Sequence, residues 1–194
     1  MLFRSRRQVA VLYAAVRACG DPAEGHAVWR AGRDELFCTH PQSPLPPDDP
    51  LRESGLPYWP YDPGLRFEAA VQAPRAPQSI AVETSSDGTT TLDLVGHVTV
   101  EEIGVTLDVW WLAQYAGGLF LPVRDGTAGR GSYGGGRYLL DTAKGADLGG
   151  DFDSLILDFN FMYHPSCRYN PRWECPLAPA GNTTAVPLEA GERM

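Results

Sequence analysis

Lysine is almost missing from this chain: Lys144 is the only one among 194 residues, so nearly all positive charge is arginine. Arginine suits planar contacts with carboxylate or phosphate, but this bias follows equally from genome composition and assigns no function by itself. Basic groups are also outnumbered, 16 against 24 acidic, for a formal net charge of -8. That balance excludes a binder of the nucleic-acid backbone, which needs a basic surface. Cysteine is scarce as well. Four residues with no C-x-x-C pair are too few for a disulfide-built fold and fit a reducing, cytoplasmic setting, although a bridge between Cys167 and Cys175 across the proline-rich tail stays open. No apolar run approaches the roughly 20 residues of a membrane span, so no membrane association is expected. Ser5-Arg6-Arg7 followed by VAVLYAAV has the outline of a twin-arginine or lipoprotein leader ending at Cys19. The apolar run is short and Arg17 interrupts it, so an uncleaved amphipathic helix is expected instead. Strands do not alternate with helices, which excludes a parallel α/β sheet, and there is no internal repeat or long low-complexity tract.

What is present is ordinary globular composition, 43% hydrophobic and 21% charged, over a length that suits one domain. Three stretches divide it: N-terminal helices over residues 1–38, a proline-rich arm over 39–65 and a β body over 66–194. Residues Arg6 to Ala18 read as a first helix. Asp21-Pro22 supplies an N-cap and a proline at the first helical position, with Glu24 placed to close a capping box, so a second helix runs from Pro22 to Cys38. Its Val28, Leu36 and Phe37 can face a core while Arg30, Arg33, Asp34 and Glu35 face water; the alternative has Trp29 and Arg33 cap a pocket. Prolines from His40 to Pro63 predict an arm with neither helix nor central strand, packed onto the body by Tyr58, Trp59 and Tyr61.

Beyond Pro63, strands are predicted at Arg66 to Gln72, Ser79 to Thr84, Thr89 to Val95, His97 to Glu102, Val105 to Ala113, Leu119 to Val123, Arg137 to Asp141, Leu155 to Phe159 and Ala185 to Glu189. Turn signals at Asp87-Gly88, Ile103-Gly104 and Gly117-Gly118 make them hairpins. The fold class is therefore mainly β, an antiparallel barrel-like or sandwich body with two N-terminal α-helices and a long irregular C-terminal loop.

Chemistry is expected in the last third. The loop DGTAGRGSYGGG, Asp125 to Gly136, has the make-up of an anion cradle, with Arg124, Arg130 and Arg137 and the hydroxyls of Thr127, Ser132 and Tyr133. Strands flank it on both sides, so it matches neither a Walker loop nor a dinucleotide fingerprint, and a turn-rich loop closing a barrel mouth explains the same glycines. Asp158 and Asn160 alternate along a strand and share a face, as an acid/base and positioning pair if that face lines a cavity. The alternative has Asp158 accept backbone hydrogen bonds from the loop that follows it. His164 titrates near neutrality and is the candidate for proton transfer. His97, in a strand, reads as structural. Cys167, Cys175 and His164 lack a recognisable zinc spacing, so no metal is expected, and nothing marks a thiolate-stabilising helix start for a cysteine nucleophile.

Several stretches together resemble a known family. LFLPVRDGTAGRGSYGGGR (Leu119 to Arg137), Leu157-Asp158-Phe159-Asn160, Cys167, Cys175-Pro176-Leu177, Asn182, Ala190-Gly191-Glu192, RDELFCTHPQSPL and YWPYDPGLRF are similar to the bacterial and archaeal domain-of-unknown-function family 1684, over about residues 26 to 192. The resemblance implies no agreed activity. Relatives carry an arginine where this chain has Phe161, an asparagine at His164 and a glutamate at Gly181; one reading has a buried ion pair of relatives replaced here by a roomier, less polar site holding Phe161, and the alternative is drift of two exposed residues.

The function expected is a cofactor-independent enzyme on a small organic molecule, by proton transfer, cyclisation or isomerisation in an aromatic-lined barrel pocket, of a kind met in secondary metabolism. Asp158, His164 and Tyr133 are its catalytic candidates, with Trp110, Tyr138, Asn160, Phe161 and Arg137 binding substrate; Trp111, Tyr115 and Phe120 complete the aromatic wall. No cofactor is expected, the partner is a small-molecule ligand, and a homodimer is possible. Two alternatives remain: a non-catalytic binder of a hydrophobic metabolite, and a flavin-binding split barrel with its phosphate on the glycine-rich loop.

Overall fold

The second helix starts where its cap dictates. The Asp21 carboxylate accepts from the backbone N–H of Ala23 (2.7 Å) and Glu24 (3.1 Å), with Pro22 in the first turn, a cap that contributes about 1 kcal/mol. In the computed structural model, which describes residues 2–113, 117–151 and 153–194, the helices are α1 (Leu2–Ala18), α2 (Pro22–Thr39) and the single turn α3 (Leu51–Ser54). The strands are β1 (Arg66–Ala70), β2 (Ser79–Glu83), β3 (Thr89–Val100), β4 (Val105–Leu112), β5 (Leu119–Val123), β6 (Arg137–Asp141) and β7 (Ser154–Asp158). α3 forms inside the proline-rich arm because Pro50 lies before its first turn and Gly55 after its last, leaving the residues between them free to bond.

All strand pairs are antiparallel. Five form one sheet in the order β2-β3-β4-β5-β6, and β1 pairs with β7 as a separate ribbon. The body is thus mainly β and sandwich-like. No barrel closes among the described residues, because β2 and β6 stay at opposite edges and the irregular tail satisfies both. Tyr163 exchanges backbone hydrogen bonds with Tyr138 on β6. At the other edge the Ser85 N–H donates to Cys175 O (2.9 Å) and Leu177 N–H to Glu83 O (3.1 Å). A covered edge needs no further strand.

The two strands expected over residues 89–102 are one. β3 carries a bulge between Leu94 and Gly96, which turns its even-numbered side chains from one face of the sheet to the other. Leu92 therefore joins Trp29, Trp110, Phe120, Tyr138 and Phe161 in a core under the helices, whereas Val98 and Val100 join Leu107, Leu121, Leu157 and Phe159 beneath the ribbon. Glycine is required at the bulge: a Cβ on Gly96 would lie 2.5 Å from Gln72 O, where the end of the ribbon crosses β3. The expected strand at 185–189 does not form. Pro187 lacks a donor, and the backbone around it bonds instead to the loop after β5, through Gly126 N–H to Val186 O (2.9 Å) and Leu188 N–H to Asp125 Oδ2 (2.7 Å).

Candidate functional site

α2 turns Trp29 and Arg33 inward, against the water-facing expectation for Arg33, and leaves Val28 exposed. The Arg33 guanidinium lies over the rings of Tyr163 (4.7 Å), Phe37 (4.9 Å) and Trp29 (5.5 Å), and its Nη2 meets both oxygens of Glu192, at 3.0 and 3.1 Å. Glu192 is fully buried. It also accepts from the Tyr169 hydroxyl (2.6 Å) and the His164 backbone N–H. Burial alone would raise this carboxyl, but Arg33, then His164 and Tyr169, outweigh it and hold its pKa below the ordinary range. Burial likewise opposes the charge on Arg33, and Glu192 with the surrounding phenols more than restores it.

Glu192 is placed by its backbone. Gly191 adopts φ 71°, and a Cβ there would sit 2.4 Å from Met162 O. Arg137, wholly buried, donates to the carbonyls of Leu188 (2.8 Å), Ala190 and Glu192 (3.1 Å) and to Asp125 Oδ1 (3.2 Å), while Trp59 covers its other face at 5.0 Å. The arm then clamps the tail through Trp59 N–H to Gly191 O (2.9 Å) and Arg193 N–H to Pro57 O (3.0 Å).

Beside this hub lies a cavity of about 300 Å³. Its walls are Val9, Leu12 and Tyr13 of α1, Arg33, Leu36 and Phe37 of α2, the His40 to Pro44 segment, Lys144, and the tail at Tyr163 to Ser166 and Trp173 to Cys175. It lies between helices and tail, not inside a ring of strands. Lys144 Nζ is 2.8 Å from Asp141 Oδ2. Four polar atoms on its wall residues are buried without a hydrogen-bond partner: Arg33 Nε, His40 Nε2, Gln42 Oε1 and Trp173 Nε1.

Of the eight site residues expected from sequence, only His164 lines this cavity. Its Nε2 accepts from the Tyr133 N–H (3.1 Å), so the ring proton sits on Nδ1, 3.9 Å from Glu192 Oε2. Burial, helped by Arg137, Arg168 and Arg33, lowers its pKa to about 4 against the pull of Glu192, leaving a neutral ring without a free lone pair. Asp158 is elsewhere, at the end of the ribbon. Its Oδ1 takes the Asn160 N–H (3.0 Å) and Nδ2 (2.8 Å), and its Oδ2 takes Arg66 (3.3 Å) and the Tyr61 hydroxyl (3.4 Å). Asp158 thus caps the turn Phe159–Phe161, and burial raises its pKa despite Asn160 and Arg66. Asn160 further bridges to the arm at Asp62, both N–H (2.9 Å) and O (2.7 Å), and its carbonyl meets His26 Nε2 at 3.0 Å.

Of the remaining candidates Trp110, Tyr138 and Phe161 are core, Tyr133 is half-buried, and Trp111, expected in the aromatic wall, is exposed. Trp110 donates to Asn182 Oδ1 (2.7 Å), the Tyr138 hydroxyl to Pro176 O (2.6 Å), and Phe161 packs against Trp29 and His26. Tyr133 adjoins Cys167, and burial raises its pKa. Arg137 holds the tail, and Tyr115 lies outside the described residues. The ion pair inferred for relatives gains no support: Phe161 touches His26 and Trp29, whereas a Cβ on Gly181 would fall 1.8 Å from Asp108 Oδ2, beside an anion already paired with His97 (2.7 Å). His26 and Glu192 were assigned no role from sequence, and Arg33 only the alternative one of capping a pocket with Trp29. A buried charge on a helix and its partner near the other end of the chain leave no local spacing to find; the shared signal was that RDELF and AGE both belong to the resembling stretches.

Residues 54–193 match the model of a family described as "Protein of unknown function (DUF1684)". The chain belongs to this family. Among solved structures, the solution NMR structure of an uncharacterized protein from Haloarcula marismortui is similar to it, with TM-score 0.59 and 36% identity over 85% of this chain and 90% of that one. Nothing among curated proteins matches. The part of this DUF1684 chain that matches the family model supplies Glu192, His164 and the tail wall, whereas Arg33, α1 and the His40 to Pro44 wall precede it. No described helix is long and apolar enough to cross a membrane.

Proposed function

We propose that this protein binds a small organic molecule in the cavity between α1, α2 and the tail, and holds it without converting it. The observation that carries this reading is the cavity itself, about 300 Å³ between helices and tail, with polar side chains of Arg33, His40, Gln42, Lys144 and Trp173 among its wall residues. The same wall is apolar along Val9, Leu12, Leu36 and Phe37, the mixture typical of small-molecule sites, and a volume of about 300 Å³ lies at the small end of their range. Proton transfer through Asp158 and His164 has less behind it, since both side chains are occupied by hydrogen bonds within the protein and only one borders the cavity. A flavin phosphate on the glycine-rich loop is likewise less favoured: Arg124 donates to Gly134 O (2.9 Å), Arg130 to Gly126 O (3.2 Å), and Arg137 holds the tail.

The binding reading is tested by NMR titration with toluene as an apolar probe. Methyl resonances of Val9, Leu12 and Leu36 are expected to shift, and Leu36→Trp, which fills the space, is expected to abolish the shifts. Unmoved methyls in the unaltered protein defeat the reading.

A further inference from the structure

We propose that Cys167 and Cys175 are a redox pair, in which a hydroperoxide oxidises Cys167 and Cys175 closes the product into a reversible disulfide. Both are free thiols. Cys175 is fixed beside the edge strand β2: its N–H donates to Ser85 Oγ (3.1 Å) and its carbonyl accepts from the Ser85 N–H (2.9 Å). Cys167 sits on the turn Ser166–Arg168, and the chain after it folds back through Asn170 N–H to Ser166 O (3.1 Å) and Trp173 N–H to Asn170 O (3.1 Å). The Ser85 hydroxyl, donating to Trp173 O (3.0 Å), fastens this return. It brings the Cys167 sulfur within hydrogen-bonding reach of the Cys175 thiol and the Tyr133 hydroxyl. Cys167 is half-buried and Cys175 only 7% exposed, so an oxidant reaches Cys167 first.

Electrostatics assign the same order. Hydrogen bonding, first from Cys175 and also from Tyr133, draws the Cys167 thiol down to about 6 despite burial, while that same bond and burial push Cys175 up. Side chains hold the thiolate, and no helix start is needed. The Cys167 sulfur attacks one peroxide oxygen; the S–O bond forms, the O–O bond breaks, and the departing oxygen takes up the proton that Cys167 gave up. The Cys175 sulfur then attacks the sulfenic sulfur, forming the S–S bond and expelling hydroxide, which leaves as water with the Cys175 proton. Two electrons pass from the sulfurs to the peroxide, and a dithiol returns them by exchange. Ser166, Trp173 and Glu174 also wall the cavity, so the bond clamps that wall with or without a ligand.

The test exposes the reduced, intact protein to hydrogen peroxide, quenches with N-ethylmaleimide and maps the tryptic peptides by mass spectrometry. A linked pair joining Cys167 to Cys175 is expected, lost on treatment with dithiothreitol, while Cys38, exposed on α2, stays a thiol over the same time. Between pH 7 and pH 5 the rate of linkage is expected to drop about tenfold, as Cys167 takes up a proton. Cys175→Ser is expected to stop at a sulfenic acid on Cys167, trapped by dimedone, and Cys167→Ser to slow oxidation of Cys175 at least tenfold, to the rate of a buried, protonated thiol. The unaltered protein decides even where a variant fails to fold. If Cys167 and Cys175 are both recovered as maleimide adducts, if Cys38 is oxidised as fast, or if Cys167 goes on to a sulfinic acid with Cys175 untouched, the two thiols are packing and not a redox couple.

Discussion

Arg137 and Asp125 form a wholly buried pair whose polar contacts run to the tail carbonyls, to each other, to the Leu188 N–H and to the N–H and hydroxyl of Thr127. Removing one member leaves an unpaired charge in the interior, so Arg137→Met is expected to lose about 3–5 kcal/mol, seen as a lower urea midpoint. Two histidines give the protein a second signature. His26 is lowered to about 4 by burial, reinforced by Arg30 and opposed by the Asn160 carbonyl, and His164 lies at about 4 as well. Both bind a proton more readily unfolded than folded, so stability is complete above about pH 6.5 and falls as pH drops towards 4, by up to about 3 kcal/mol for each. The depressed Glu192 acts in the same direction at lower pH: its contribution is present above the unfolded carboxyl pKa and disappears as pH falls through the folded one. Denaturation midpoints measured from pH 4 to 8 are expected to climb and then level. His164→Asn, whose amide oxygen can still accept from Tyr133, is expected to remove about half of the climb between pH 4 and 6.5.

At the level of elements, the bulge in β3 decides which residues reach which core. Gly96→Val places a side chain against Gln72 O and Val71, and is expected to cost about 1–3 kcal/mol by urea denaturation. The same change at Gly104, with open space around its Cβ, tests only its left-handed φ of 64°. Capping, and short β-rich runs bounded by glycine turn signals, made the start of α2, β5 and β6 legible at the sequence, because each is a local pattern in neighbouring residues. The bulge was not legible, since a lone glycine between two apolar runs reads equally as a break between strands. Trp110, Phe120 and Tyr138 read as pocket wall for a similar reason: an aromatic in a strand is the same signal whether it faces a ligand or another ring. Their edge-to-face contact, Phe120 against Tyr138 at 4.7 Å, makes them packing. Asp158 and Asn160 do meet, but the turn after β7 directs the pair to the arm rather than to a cavity.

Across the whole molecule, helices, arm, sheet and tail are tied at one place, where Arg33 meets Glu192. Glu192→Gln keeps the shape and removes the charge, leaving Arg33 caged by rings without its counterion. It is expected to destabilise by about 3–5 kcal/mol and to loosen the cavity wall, read as faster hydrogen exchange in α2 and the tail than in β3 and β4. The partners of this pair are separated by 159 positions in the chain. Closing so long a loop is entropically slow to reward, which places the contact after the transition state, when local hairpins have already formed. Kinetically, Glu192→Gln should therefore steepen escape from the native state while leaving refolding almost as fast, so the lifetime of the assembled protein is set by its most distant handshake.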